Sequence, residues 1–102
     1  MDFNLTTQKD ESVLCIGGEL DALTAKELRP VVCKIGEDRP SKVFVDLSRL
    51  RLIDSSGVAV IVTLFKTVRS YNGSLAVVGV REQPLAILRL LQLDRVLVRD
   101  VV

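Results

Sequence analysis

Hydrophobic positions change period several times along the chain. Phe3 to Gln8 alternate apolar and polar, and a second short segment, Ser12 to Gly18, follows after Lys9-Asp10-Glu11. Two short strands joined by a polar turn predict a hairpin, hence an antiparallel pair. Gly17-Gly18-Glu19-Leu20-Asp21 is rich in turn formers and is expected to end the second strand. The period then becomes helical, with Leu28, Val31, Val32 and Ile35 at i, i+3, i+4, i+7. Thr24 and Glu27 have the spacing of a capping box, which predicts a helix from Thr24 that Gly36 closes. Pro30 has no N–H to donate, so a kink or a late start is expected there.

Lys42 to Leu47 reads as a buried strand around Val43, Phe44 and Val45, followed by a short connector. The segment from Val58 to Tyr71 is β-branched at Val58, Val60, Ile61 and Val62, a composition that favours strand. Its length and its spacing favour helix: Val58, Ile61, Val62 and Phe65 repeat the i, i+3, i+4, i+7 pattern. A serine at its start and Asn72-Gly73 at its end are the expected caps. Ser74 to Val80 is another apolar strand, Pro84 opens a helix to about Gln92, and Val96-Leu97-Val98 is expected to form a last strand. The order is β-β-α-β-α-β-α-β. It predicts an α/β single domain over 1–102 with a mixed, mostly parallel sheet and right-handed crossovers, antiparallel only at the first strand.

Composition narrows what such a domain does. The 102 residues contain no His, which removes the commonest general base and every Ser–His or Cys–His nucleophile pair. Lys and Arg number 14 against 13 Asp and Glu, a net charge of +1, so bulk electrostatic capture of nucleic acid or an acidic membrane is not expected. Phe3, Phe44, Phe65 and Tyr71 are the only aromatics, too few for a base-stacking platform. Cys15 and Cys33 sit among apolar residues and are expected to be buried, reduced thiols. The N-terminus shows no signal-peptide pattern, and the longest uncharged apolar run, Gly57 to Phe65, is far short of the about 20 residues of a bilayer span. A cytoplasmic protein without metal or cofactor is expected.

Candidate chemistry concentrates at Ile53-Asp54-Ser55-Ser56-Gly57, where a predicted connector meets a largely apolar helix. One helix cap explains an Asp or a Ser there, but two adjacent serines beside an acid exceed what a cap needs. Hydroxyls at a helix N-terminus lie where backbone N–H groups favour an added anion. A nucleophile elbow needs Gly two residues before the serine, and Ile53 and Asp54 occupy those places. Esterase or protease chemistry is therefore disfavoured. Asp46 at a strand end invites comparison with a phospho-accepting aspartate, yet only Asp21 is placed to help hold the required metal. An exposed carboxylate is the simpler expectation for Asp46, and Arg49 and Arg51 are expected to face solvent. Gly17-Gly18 lacks the Lys-Ser/Thr of a phosphate loop.

Val45-Asp46-Leu47-Ser48 followed by Ile53-Asp54-Ser55-Ser56-Gly57-Val58 resembles the signature of STAS domains of the anti-sigma factor antagonist family. Gly18-Glu19-Leu20-Asp21 is similar to that family's second recurrent segment, and the element order matches over essentially the whole chain. The resemblance implies a binding switch and no enzyme. The unphosphorylated form would bind an anti-sigma factor, a serine kinase of the histidine-kinase ATPase type, and free the sigma factor. Phosphorylation of Ser55 would end binding, and a PP2C-type serine phosphatase would restore it. By the same resemblance Asp54, Ser56, Gly57 and Val58 frame the acceptor, and Asp21 belongs to the neighbouring partner-binding loop. The alternatives are an unswitched STAS interaction subunit of a transporter or signalling scaffold, and a small-molecule or nucleotide binder at the Asp21 and Asp54 loops. Ala59 and Gln92 stand where the family often has glycine, and its C-terminal helix is expected to be absent or shortened.

Overall fold

A computed structural model describes residues 1–98. Strand β1 (Asp2–Gln8) pairs antiparallel with β2 (Glu11–Leu20). A short helix α1 (Ala22–Ala25), a 3-10 turn (Lys26–Leu28) and α2 (Arg29–Asp38) lead to β3 (Lys42–Ile53). Helix α3 (Ser55–Ser70), strand β4 (Ser74–Val78), α4 (Glu82–Leu90) and α5 (Asp94–Leu97) follow. The sheet has the order β1-β2-β3-β4, with β2–β3 and β3–β4 parallel. This is the mixed, mostly parallel α/β sheet that the periodicity predicts. The end of the expected domain, 99–102, lies outside the described residues.

Both parallel crossovers step the same way across the sheet. A right-handed connection then places their helices on one face. The inward residues of the strands, among them Leu14, Ile16, Val43, Val45, Leu47, Leu75 and Val77, form one core with Leu28, Ile35, Ile61, Leu64, Val68 and Leu88. Val13 and Phe44 pair across the other face, beside Cys15 and Asp46, and all four stay half-buried.

Several boundaries differ from the expectations, each for a local reason. Strand β3 runs to Ile53, and the expected connector is its second half. Its pairing with β2 shifts register between Cys15 and Gly17 and again between Gly18 and Glu19. Each shift puts an extra residue in β3, so the buried positions after Leu47 become Leu50 and Ile53, and strict alternation is lost. Asp46 therefore lies within the strand, where its Oδ1 accepts from the Ser48 N–H at 2.9 Å and its Oδ2 accepts from the Cys15 thiol at 4.0 Å. Gly17-Gly18 likewise remains in β2. Arg49 and Arg51 are exposed, yet each faces an acid, Asp2 at 3.5 Å and Glu19 at 3.4 Å.

The first helical region starts at Ala22, capped by Asp21, with the 3-10 turn preceding Pro30 as the late start of α2. It closes at Arg39, whose left-handed backbone (φ 51°) donates its N–H to the Ile35 carbonyl at 2.8 Å; Gly36 lies inside the helix. Cys15 is half-buried and Cys33 is exposed, because Val31 and Ile35 take the core face of α2 and Cys33 falls off it. Near the C-terminus, Asp94–Leu97 is one helical turn that buries Leu97. Among the described residues Val98 alone bridges to Val77, in place of the expected strand Val96-Leu97-Val98.

Strand β4 pairs with β3 only as far as Asp46, which leaves the distal half of β3 to α4. Gln83 closes that edge: its Oε1 accepts from the Ile53 N–H at 2.9 Å and its Nε2 donates to the Ile53 carbonyl at 3.0 Å. One side-chain amide thus supplies the pair of bonds a neighbouring strand would make. Replacing it with the similarly long Met leaves both groups without partners. We expect Gln83→Met to cost about 1–3 kcal/mol of stability. Urea unfolding checks this, and a wild-type midpoint would mean that solvent satisfies Ile53 equally well.

Candidate functional site

The carboxyl ends of β2 and β3 lie side by side, Leu20 opposite Ile53. Ligands of open parallel sheets gather at such strand ends. The Asp54 N–H donates to the Leu20 carbonyl at 3.1 Å, tying the turn after β3 to the end of β2. Asp54 then caps α3, its Oδ1 accepting from the Gly57 N–H at 3.1 Å. The expected serine cap is therefore displaced by one position. Asp is the better cap because its carboxylate also complements the positive end of the helix.

With Asp54 as cap, Ser55 and Ser56 become the first two helical residues. Ser55 is exposed and Ser56 half-buried. Gly57 and Val58 are buried, Val58 only 6% exposed, so these two seat the helix. A Cβ on Gly57 would lie 2.7 Å from both the Leu20 carbonyl oxygen and Ile53 Cγ1, and 2.8 Å from Leu20 Cγ. Only glycine allows α3 to approach both strand ends so closely.

Asp21 stands at the start of the neighbouring helix. Its Oδ1 accepts from the N–H groups of Leu23 at 3.1 Å and Thr24 at 3.0 Å, while Thr24 Oγ1 accepts from the Asp21 N–H at 2.8 Å. The capping box is thus Asp21 with Thr24, one turn earlier than the Thr24–Glu27 pair expected from spacing. Asp21 and Asp54 share a shallow cleft of about 270 Å³ with Glu19, Leu20, Leu52, Ile53 and Gln83. The structure brings together Asp21, Asp54 and the exposed Ser55 at one end of the sheet. Sequence reasoning missed Gln83, which no local pattern reveals, and Leu20, whose carbonyl anchors the turn. Among the described residues no group of three or more His, Cys, Asp or Glu side chains is placed to hold a metal ion. No described helix is long and apolar enough to cross a membrane.

The hydrogen bond from the Thr24 backbone, then that from its hydroxyl, holds the Asp21 carboxyl below the usual carboxylate range, against a smaller opposing effect of burial. A pKa lowered on folding contributes stability above the unfolded value, which is lost as pH falls through the folded pKa. The Asp21 carboxyl should therefore titrate below an unstructured Asp in an NMR pH series. Thr24→Val should move its midpoint upward, and an unchanged midpoint would contradict this account. Gly57→Ala should cost about 1–3 kcal/mol through overpacking, read by denaturant unfolding.

The family model for the STAS domain matches residues 2–101. An anti-sigma-B factor antagonist of Staphylococcus aureus is 28% identical over 83 residues, spanning 81% of this chain and 77% of that protein. The crystal structure of a Thermotoga maritima protein assigned as an anti-sigma factor antagonist superposes with a TM-score of 0.87 at 28% identity, covering 98% of this chain and 86% of that one. The Bacillus cell fate determinant SpoIIAA in its phosphorylated form shares the fold, with a TM-score of 0.79 at 17% identity over 99% of this chain and 92% of its own.

Proposed function

The chain belongs to the STAS domain family, and on that premise we propose that it is an anti-sigma factor antagonist switched at Ser55. The observation that carries the proposal is the exposure of Ser55 on the first turn of α3, beside the Asp54 cap and the Asp21 turn. In its unphosphorylated form the protein binds an anti-sigma factor, a serine kinase of the histidine-kinase ATPase type, in the cytoplasm and so frees a sigma factor. Transfer of a phosphoryl group from ATP to the Ser55 hydroxyl ends binding, and a PP2C-type phosphatase hydrolyses the ester and restores it. The role is one of protein interaction, not catalysis. Asp21, Asp54 and Ser56 frame the contact surface, and Gly57 and Val58 hold its helix in place.

The physics of the position supports a switch that leaves the fold intact. A phosphoserine at a helix start meets the positive end of the helix, so modification is compatible with the folded domain. The same phosphate brings roughly −2 charge to a surface that already carries Glu19, Asp21 and Asp54. A partner adapted to the neutral hydroxyl would have to desolvate that dianion. Disrupting one charged contact of this kind costs about 2–5 kcal/mol, or roughly 30- to several-thousand-fold in affinity.

Phosphosite mapping after incubation with Mg-ATP and native cell extract tests the acceptor, with Ser55→Ala alongside. We expect phosphate on Ser55 in the wild type and none there in the variant. Against the kinase so identified, Ser55→Asp should bind at least roughly 30-fold more weakly, whereas Ser55→Ala should bind and resist release. Absence of phosphate on Ser55 while the extract's kinases are active would favour an unswitched interaction subunit. Equal affinity of both variants and wild type would remove the switch altogether.

A further inference from the structure

A groove of about 640 Å³ runs between the α1–α2 region and α3, beginning at Ser56, next to the proposed switch residue Ser55. It is lined by small and β-branched residues, Ala22, Ala25 and Val32 on one side and Ala59 and Val60 on the other, of which Ala25 is buried and the two valines are half-buried. The small side chains leave depth between the two helices. The walls meet farther along, where a Cβ on Gly36 would lie 3.2 Å from Thr67 Cγ2. The rim carries Lys26 and Arg29, both exposed and, among the described residues, neither in an ion pair. Leu23, next in sequence to Ala22, is 79% exposed, an apolar side chain with nothing packed over it.

We propose that this groove docks an acidic amphipathic segment of the protein partner, its apolar side chains between α2 and α3 and its carboxylates on Lys26 and Arg29. The chemistry of the walls selects that occupant. A small-molecule site usually presents a few convergent polar groups within its depth. Here the Thr63 hydroxyl donates to the Ala59 carbonyl at 2.8 Å, the Ser56 hydroxyl stands at one end only, and the charged side chains that line the groove, Lys26 and Arg29, are both positive. An apolar floor with a cationic rim is the complement of a helix with one apolar stripe and flanking acids. Ser56 lines the groove and Ser55 precedes it, so an occupant that continues past the groove reaches the switch. That this segment belongs to the partner controlled by Ser55 rests on the function proposed above; the groove's preference for acidic, apolar chemistry does not.

Cys33 lines the groove and is exposed, which makes it a reporter of occupancy. The experiment uses the full chain with Cys15→Ser and measures maleimide alkylation of Cys33. The probes are an amphipathic helical peptide of Leu and Glu, a Leu and Lys peptide of the same pattern, and oleate. The Leu and Glu peptide should slow alkylation and the Leu and Lys peptide should not. The double variant Lys26→Glu/Arg29→Glu should lose about tenfold in affinity for the first peptide and gain affinity for the second. Both substitutions lie on the exposed rim, and circular dichroism confirms that the variant is folded. No protection by the Leu and Glu peptide, or equal protection by both peptides, would overturn the proposal. Protection by oleate alone would assign the groove to a small amphiphile and overturn it as well. No kinase is required, so failure here leaves the Ser55 reading standing, and failure of the Ser55 test leaves the groove's preference intact.

Discussion

The approach of α3 to the ends of β2 and β3 is the constraint on which the rest of the arrangement depends. Gly57 lets the first turn of the helix rest on Leu20 and Ile53, closer than any side chain would permit. Once the helix is seated there, Val58, Ile61, Leu64 and Val68 enter the core in succession. The opposite side of the first turn must then face solvent, and Ser55 is on it. Display of the serine is thus a geometric consequence of burying the glycine two residues later. The same junction is held from three directions. Leu20 accepts from the backbone of Asp54, Asp54 accepts from Gly57, and Gln83 pairs with both polar groups of Ile53.

Sheet topology explains why the surface features collect where they do. Because both parallel crossovers step the same way, every helix that follows a parallel strand lies on one side. That side carries the core, and its strand ends carry the Asp21 and Asp54 turns. The opposite sheet face carries Val13, Phe44 and the Cys15–Asp46 contact in a half-buried state. A single layer of helices also means that α2 and α3 are neighbours with their outer surfaces open. The groove between them is a product of strand order combined with the alanines that line it.

Long, strongly periodic elements were legible in the sequence, and features that depend on distant partners were not. Helix α3 is the clearest case: its β-branched composition argues for strand, but the spacing of Val58, Ile61, Phe65 and Val68 argues for helix, and core packing favours the spacing. The pattern predicts strand β3 only to Leu47, because bulges against β2 destroy the alternation on which strand recognition rests. The cap of the first helix was misplaced by one turn. Asp21 and Thr24 satisfy each other as well as the backbone, a reciprocity that outweighs the Thr24–Glu27 spacing. Ser55 and its flanking acid stood out as local chemistry. Gln83 did not, since its partner Ile53 lies thirty residues earlier and no local pattern connects them. Cys33 is exposed despite its apolar sequence neighbours, because an apolar neighbourhood says nothing about which side of a helix faces the core.

These features divide the surface into two parts with different physical behaviour. At the start of α3, a phosphate on the Ser55 hydroxyl, as proposed, would alter what a partner must desolvate, so contact energy there would depend on a covalent state. The groove begins beside that position, at Ser56, and extends away from it between the helices, where apolar contact dominates. Apolar contact at the far end of the groove would respond least to a phosphate on Ser55. A partner using both would therefore retain part of its contact area when the serine is modified, and release would depend on the affinity lost at the helix start exceeding what the groove supplies. On the proposed function, the extent of that apolar contact would set how completely modification of Ser55 releases the partner.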